Sequence, residues 1–131
     1  YETTDLSKLR NYISFDPRLP KYIPKDLRFQ SASIMKDKSN GFEEIYFFYL
    51  GKNHRRVTII ERVVVTSLGS GLVANREDAR LKKVTVNGQP ASLITYNESI
   101  RELVWVEASY YYFSIYGELS EEEIIAIAES M

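Results

Sequence analysis

The sequence predicts an α+β fold: an antiparallel sheet of about six strands, with a short N-terminal helix and a C-terminal helix packed on one face. Three observations carry that expectation. Between Leu27 and Tyr116, apolar and aromatic residues fall into short runs bounded by Gly, Asn and charged residues, the pattern of strands joined by turns. Asn40-Gly41 and Asn87-Gly88 are hairpin signals, because both residue types tolerate positive φ. Ser120-Glu121-Glu122-Glu123 opens a final amphipathic stretch with the residues of a capping box.

Leu6, Leu9 and Ile13 share one helical face across Asp5–Ser14, with Thr4 or Asp5 as the cap, which predicts the N-terminal helix. Asp16-Pro17-Arg18-Leu19-Pro20 and Ile23-Pro24 then stop regular structure, since proline lacks an N–H donor and drives its predecessor towards extended backbone. Strands are expected over Leu27–Lys36, Phe42–Leu50 and Arg55–Ser67, joined as a meander through Asn40-Gly41 and Gly51-Lys52-Asn53-His54. Apolar residues on both faces of Phe42–Leu50 suit a central strand. Leu68–Arg80, with Gly69, Gly71 and a polar run from Asn75 to Asp78, reads as an exposed connection.

Lys82–Val86 and Ala91–Tyr96 form a second hairpin around Asn87-Gly88, with Pro90 at a strand start or edge. Arg101–Val106 and Tyr110–Tyr116 form a third around Glu107-Ala108-Ser109. In the C-terminal helix Ser120 is the cap, and Leu119 and Ile124 occupy the two positions of a hydrophobic staple. Ile124, Ile127, Ala128 and Met131 form one apolar stripe, for which Tyr110–Tyr116 is the expected facing strand.

A chain of 131 residues fits one domain, residues 1–131, and its 44% hydrophobic content can fill a core without metals or disulfides. Apolar runs such as Ile45–Leu50 are too short to cross a bilayer. The chain begins at Tyr1 and reads as a fragment of a longer exported or membrane-anchored protein. With no cysteine there are no disulfides, zinc thiolates or Cys nucleophiles. Lys and Arg outnumber acids 12 to 8 up to Arg62 and are outnumbered 5 to 10 beyond it, which folding would intermix.

Candidate chemistry is sparse, and no catalytic residue, cofactor site or metal site is expected. The one histidine, His54, sits beside Arg55 and Arg56 without a partner for base catalysis or metal binding. Glu121, Glu122 and Glu123 diverge by about 100° per residue on a helix, so they serve the cap and the helix dipole. Gly69-Ser70-Gly71 lacks the rest of a phosphate loop. Asn97-Glu98-Ser99 matches a glycosylation acceptor and reads more simply as a turn. A net charge of −1, with Lys82-Lys83 and Arg55-Arg56 as isolated pairs, argues against nucleic acid as a partner.

Tyrosine is the unusual residue, with 10 copies. On a strand Tyr111, Phe113 and Ile115 share one face and Tyr110, Tyr112 and Tyr116 the other. The first set suits the core. Tyr110, Tyr112 and Tyr116 are the candidate interaction surface, since tyrosine offers a large contact area with a polar tip. Cross-strand aromatic packing is their alternative role.

Several segments resemble a known family: Leu19-Pro20-Lys21-Tyr22-Ile23-Pro24-Lys25, Val84-Thr85-Val86-Asn87-Gly88, Glu102-Leu103-Val104-Trp105, Tyr111-Tyr112, and Gly117 to Ile124 followed by Ile127 to Met131. Over most of residues 15–131 the chain is similar to a domain of unknown function from Gram-positive bacteria, while residues 66–81 depart from the shorter connection of that family. The resemblance implies an extracytoplasmic, C-terminal domain of membrane-anchored or lipoprotein-like chains, some with anti-sigma-factor-like cytoplasmic parts. It implies no catalytic residues. The expected role is a non-catalytic sensory or interaction domain, of a regulatory, anti-sigma-like kind, with an unknown protein or cell-envelope ligand as partner and the membrane anchor outside this chain. The alternative is a lipoprotein-sorting-like module with an apolar cavity, or a glycan- or peptide-binding module using the tyrosine-rich face.

Overall fold

The computed structural model describes residues 1–37, 39, 41–64 and 80–131. Eight antiparallel strands form one sheet: β1 (Glu2–Thr3), β2 (Arg28–Asp37), β3 (Phe42–Leu50), β4 (Arg56–Val64), β5 (Arg80–Val86), β6 (Gln89–Thr95), β7 (Ile100–Glu107) and β8 (Tyr111–Glu118). Their spatial order is β1-β2-β3-β4-β8-β7-β6-β5. Two local meanders, β1 to β4 and β5 to β8, therefore meet at the β4–β8 pair. One α-helix, α1 (Glu121–Glu129), follows β8, and a six-residue 3₁₀ helix spans Leu6–Asn11.

Among the described residues, the prediction of about six strands and two helices is thus corrected to eight strands, one α-helix and two 3₁₀ helices, the second a single turn at Lys52–His54. β1 was missed because two residues carry no period; it exists through pairing of Glu2 and Thr3 with Ser33 and Ala32. The N-terminal segment keeps its expected cap, with the Asp5 carboxylate accepting from the Ser7 N–H at 3.0 Å, and its expected buried face at Leu9 and Ile13. It winds as 3₁₀ because the segment is short and held at its end by tertiary packing rather than by helical propagation.

Strand faces follow the side-chain period of two. One face of the sheet is the core: Ala32 and Ile34 on β2, Ile45, Phe47 and Tyr49 on β3, Val57 and Ile59 on β4, Phe113 and Ile115 on β8, Leu103 and Trp105 on β7, and Leu93 on β6. Phe29 would fall on the wrong face by strict alternation with Ala32. A bulge between Phe29 and Ser31 restores it, placing Phe29 opposite Tyr49 with ring centroids 5.8 Å apart.

Turn chemistry agrees with the sequence where it is described. Asn87 and Gly88 both have positive φ, 50° and 82°, as a type I′ turn requires. Gly41 has φ 69°, whereas Lys38 and Asn40 lie outside the described residues. So do residues 65–79, which include the end of the expected Arg55–Ser67 strand, most of the Leu68–Arg80 connection and Gly69-Ser70-Gly71. Asn97 makes the turn read from its sequence, its Oδ1 accepting from the Ser99 and Ile100 N–H groups, each at 2.9 Å.

The inner face is covered by two layers. Residues 12–27 cross it as an irregular strap, anchored by buried Ile13, Pro24 and Leu27. α1 buries Ile124, Ile127 and Ala128. The helix lies against β7 and β5 rather than over β8 as expected. The strap occupies the space above β8, with the Phe15 ring edge-on to Tyr111 at 5.6 Å and the Arg18 guanidinium 5.2 Å from the Phe113 ring centroid.

The capping box forms in both directions: the Glu123 N–H donates to Ser120 Oγ at 3.1 Å, and the Ser120 N–H donates to Glu123 Oε1 at 3.0 Å. Leu119 and Ile124, the staple residues, are both buried. Glu123 also pairs with Arg55 at 3.1 Å, and Arg55 reaches Asp26 at 2.9 Å, so one guanidinium joins the helix start, the β3–β4 turn and the end of the strap. Together with the Arg18–Glu107 pair, this intermixes the basic first part of the chain with the acidic second part. Replacing Ser120 by Ala should lower stability by about 1 kcal/mol, since the side-chain acceptor for one helix N–H is lost. An unchanged chemical-denaturation midpoint for S120A would contradict this role.

Candidate functional site

The outer face of the sheet carries an open groove. A groove of about 530 Å³ runs across β5, β6, β7 and β8, lined by Lys83, Pro90, Ser92, Val104, Val106 and Tyr112, with Ser109 at the β7–β8 turn. Register places these side chains together. Lys83 pairs with Ser92, Ser92 with Val104, and Val106 with Tyr112. Val104 and Val106 form an apolar floor, Tyr112 stands at one side, and Lys83 brings a cation, its Nζ donating to Ser92 Oγ at 3.1 Å. Its volume lies within the range of sites that hold small ligands.

The three tyrosines singled out from the sequence are not one platform. Tyr112 lines the groove. Tyr116 shares its face but lies four residues further along β8, about 13 Å away at strand spacing, where its ring is edge-on to Tyr96 at 5.9 Å. Beside it Glu102 accepts from Tyr96 Oη at 2.5 Å and from Ser114 Oγ at 2.9 Å. Tyr110 precedes β8; it lies in the turn, is half-exposed, and its carbonyl accepts from the Val64 N–H at 3.0 Å. Ser92, Val104 and Val106 were not singled out. Their outward parity was legible, but the groove also depends on β7 lying between β6 and β8.

The same outer face continues over β3 and β4. Arg62 donates through Nε to Glu44 Oε2 at 2.6 Å, Tyr46 Oη donates to Glu44 Oε1 at 3.0 Å, and the guanidinium lies 4.9 Å from the Phe42 ring centroid. Both Glu44 oxygens are engaged, which makes the cluster a structural tie across β3 and β4.

The inner face holds a second group of ionisable residues. Glu61 lies on the buried side of β4, between Ile45 of β3 and Phe113 of β8. Its side chain is fully buried. Oε1 accepts from the Tyr111 hydroxyl at 2.6 Å and from the Arg18 backbone N–H at 2.8 Å, while Oε2 has no hydrogen-bond partner. Burial pushes this carboxyl up to about 7, against the opposing pull of the Tyr111 and Arg18 hydrogen bonds and the Arg18 charge. Burial and the neighbouring Glu61 push Tyr49 up to about 12 and Tyr111 higher still.

Arg18 itself pairs with Glu107 at 2.8 Å, and Glu107 Oε2 accepts from Trp105 Nε1 at 3.1 Å. Glu107 is held below the usual carboxylate range: the Arg18 and Trp105 hydrogen bonds outweigh the opposing, larger single effect of burial. Glu61 was not singled out from the sequence, although its spacing from Val57 and Ile59 puts it on their inward face. His54 stands exposed in the β3–β4 turn. Among the described residues no group of three His, Cys, Asp or Glu side chains is placed to hold a metal ion, and no helix is long and apolar enough to cross a membrane.

Fold and site together define an α+β domain built on one antiparallel sheet, with one face closed by a strap and a helix and the other carrying an open groove. The chain belongs to the DUF4367 family, a domain of unknown function, whose match covers residues 18–131 and so takes in part of the strap, β2 to β8 and α1. No curated protein and no solved structure matches the chain.

The buried carboxyl makes stability depend on pH with a definite sign. Folded, Glu61 binds its proton up to about pH 7, whereas an unconstrained glutamate does so only to about 4.5. Between those values the folded chain binds more protons, so stability falls as pH rises, by about 3 kcal/mol in all. The lowered carboxyls of Asp26, Glu107 and Glu123 act below that window. Denaturant unfolding at pH 5 and pH 8 should show this loss in the wild type and little of it in Glu61→Gln, which keeps an acceptor for Arg18. Equal stability of the wild type at both pH values would contradict the assignment.

Proposed function

We propose that the chain is a non-catalytic, extracytoplasmic sensory or interaction domain of a longer membrane-anchored protein, and that the outer groove bordered by Tyr112 is where its ligand docks. The single observation that carries the reading is the inequality of the two faces. The inner face is packed by the strap and α1, with Ile45, Phe47, Leu103, Ile115, Ile124 and Ile127 at 0% exposure. The outer face keeps a groove of about 530 Å³ with an apolar floor, an aromatic side and one cation. The extracytoplasmic placement and a regulatory, anti-sigma-like role rest on the resemblance carried by the Leu19–Lys25, Val84–Gly88 and Gly117–Met131 segments.

A lipoprotein-sorting role needs a large apolar cavity between sheet and helix. Among the described residues, an opening on that side, between Arg18, Trp105, Glu107 and Met131, has about 110 Å³. The groove therefore favours a peptide or glycan over a lipid chain. In either case the domain retains and releases its ligand unchanged.

The test is an amide chemical-shift titration with two probes, a soluble cell-wall disaccharide-peptide and an unstructured peptide carrying a C-terminal carboxylate. One of them should saturate shifts at Ser92, Val104, Val106 and Tyr112 and be recovered chemically intact. Tyr112→Ala should weaken that binding at least ten-fold with little change in unfolding midpoint. Saturable shifts confined to α1 and the strap, or a probe recovered cleaved, would overturn the reading.

A further inference from the structure

Residues 14–22 are an irregular segment between two buried anchors, Ile13 and Pro24, and most of them face solvent. They belong to no strand or helix. Their backbone is tied down at separate points. The Ser14 N–H donates to Glu43 Oε2 at 2.9 Å, the Arg18 N–H to Glu61 Oε1 at 2.8 Å, the Lys21 N–H to the Ser130 carbonyl at 3.3 Å and the Tyr22 N–H to Ser130 Oγ at 3.1 Å. The Arg18 tie differs from the others because its acceptor is a fully buried acid on the sheet beneath.

That acid is half-satisfied. Both donors meet at Oε1, and Oε2 is buried with no partner. A proton on Oε2 leaves one neutral hydroxyl unsatisfied, whereas its loss leaves a charge in an apolar setting that water alone could solvate. The segment above Glu61 is what keeps water out: Phe15 is edge-on to Tyr111, and the Arg18 guanidinium lies over the Tyr111 and Phe113 rings at 5.5 and 5.2 Å. The Arg18 charge is directed away to Glu107 on β7, 2.8 Å off, so it does not neutralise Glu61 by a direct pair.

We propose that residues 14–22 are a proton-controlled latch on the inner face, with Glu61 as its catch: the protonated acid holds the segment closed, and ionisation releases it so that water reaches Oε2. The charged and titratable groups facing Glu61 are few. On β8 there is Tyr111, on β3 Tyr49, and on the segment Arg18, whose own partner is Glu107. Both phenols are held protonated well above neutral pH, so they do not titrate in the window where the catch does.

Released, Glu61 returns towards the ordinary glutamate value of 4.5, while closed it sits at about 7. The ratio of open to closed segment then rises with pH by at most about 300-fold, of which about 30-fold falls between pH 5.5 and 8.5. Trp105, the only tryptophan, reports the change, because its indole donates to the same Glu107 that holds Arg18.

Native-state hydrogen exchange on the full chain tests the latch, with rates corrected for intrinsic base catalysis. Between pH 5.5 and 8.5 the Arg18 amide should lose protection about 30-fold, and at each pH its opening free energy should lie below that of the Ile45 and Ile59 amides, which exchange through global unfolding. Trp105 emission should follow the same curve. Glu61→Gln should keep Arg18 protected at both pH values, and Tyr111→Phe, which removes a bond favouring the carboxylate, should move the transition to higher pH. A carbon-13 titration of the Glu61 carboxyl in the wild type needs no variant and should give a midpoint near 7. A midpoint below about 5, an Arg18 protection flat in pH, or an Arg18 opening free energy equal to that of the sheet amides would overturn the proposal.

Discussion

The β4–β8 ladder is the interaction on which the rest of the structure depends. Every other strand pair joins strands consecutive in the chain, and β2 to β4 and β5 to β8 are each linked by short turns where described. Only β4 with β8 pairs strands that are not consecutive in the chain, from Val57 opposite Gly117 to Val63 opposite Tyr111, whereas the short β1 closes a loop of about 30 residues onto β2. Local hairpins close small loops at low entropic cost, whereas this pairing must close a long one before its contacts form. The ladder also demands close backbone approach. A Cβ at Gly117 would stand 2.4 Å from the Arg56 carbonyl oxygen and 2.9 Å from the Val57 Cα, which leaves glycine as the residue that fits.

From that ladder the two faces acquire different fates. Joining the meanders makes an inner face wide enough to need two covers. α1 takes the β7–β5 side and the strap takes β8, where Trp105, Phe113 and Tyr111 stack in succession with centroids 4.9 and 4.3 Å apart. Arg55 holds the strap end and the helix start to the β3–β4 turn, so both covers are fixed to the first meander as well. The outer face receives no such cover from the described residues over β6 to β8, and its groove is the consequence. Glu61 sits within the ladder itself, opposite Phe113, which is why its ionisation bears on the strap rather than on a loop at the margin.

Much of this was legible because it is local. The capping box, the staple, the Asn87-Gly88 turn and the alternation of β8 each depend on residues within a few positions of one another, and each is found where the sequence puts it. Features that depend on distant partners were not legible. β1 is defined only by Ser33 and Ala32, and the helix covers β7 and β5 because the strap has already taken β8. The tyrosine trio is spread apart for a related reason. Parity placed Tyr112 and Tyr116 on one face, but a strand spreads four residues over more than one ligand's width, and Tyr110 falls in a turn whose Ala108 and Ser109 both have positive φ. Glu61 is the instructive omission: its inward parity was readable, and an acid at an apolar position is the informative exception to a Val- and Ile-rich strand.

The account holds that the β4–β8 ladder fuses two meanders into one cooperative unit. The most direct measurement is the free energy of the slowest amide exchange in each half, at a pH where the strap is closed. Ile45 and Phe47 in the first meander should exchange with the same free energy, and the same denaturant dependence, as Leu93 and Leu103 in the second. Two separate values, with one meander opening while the other stays protected, would contradict it.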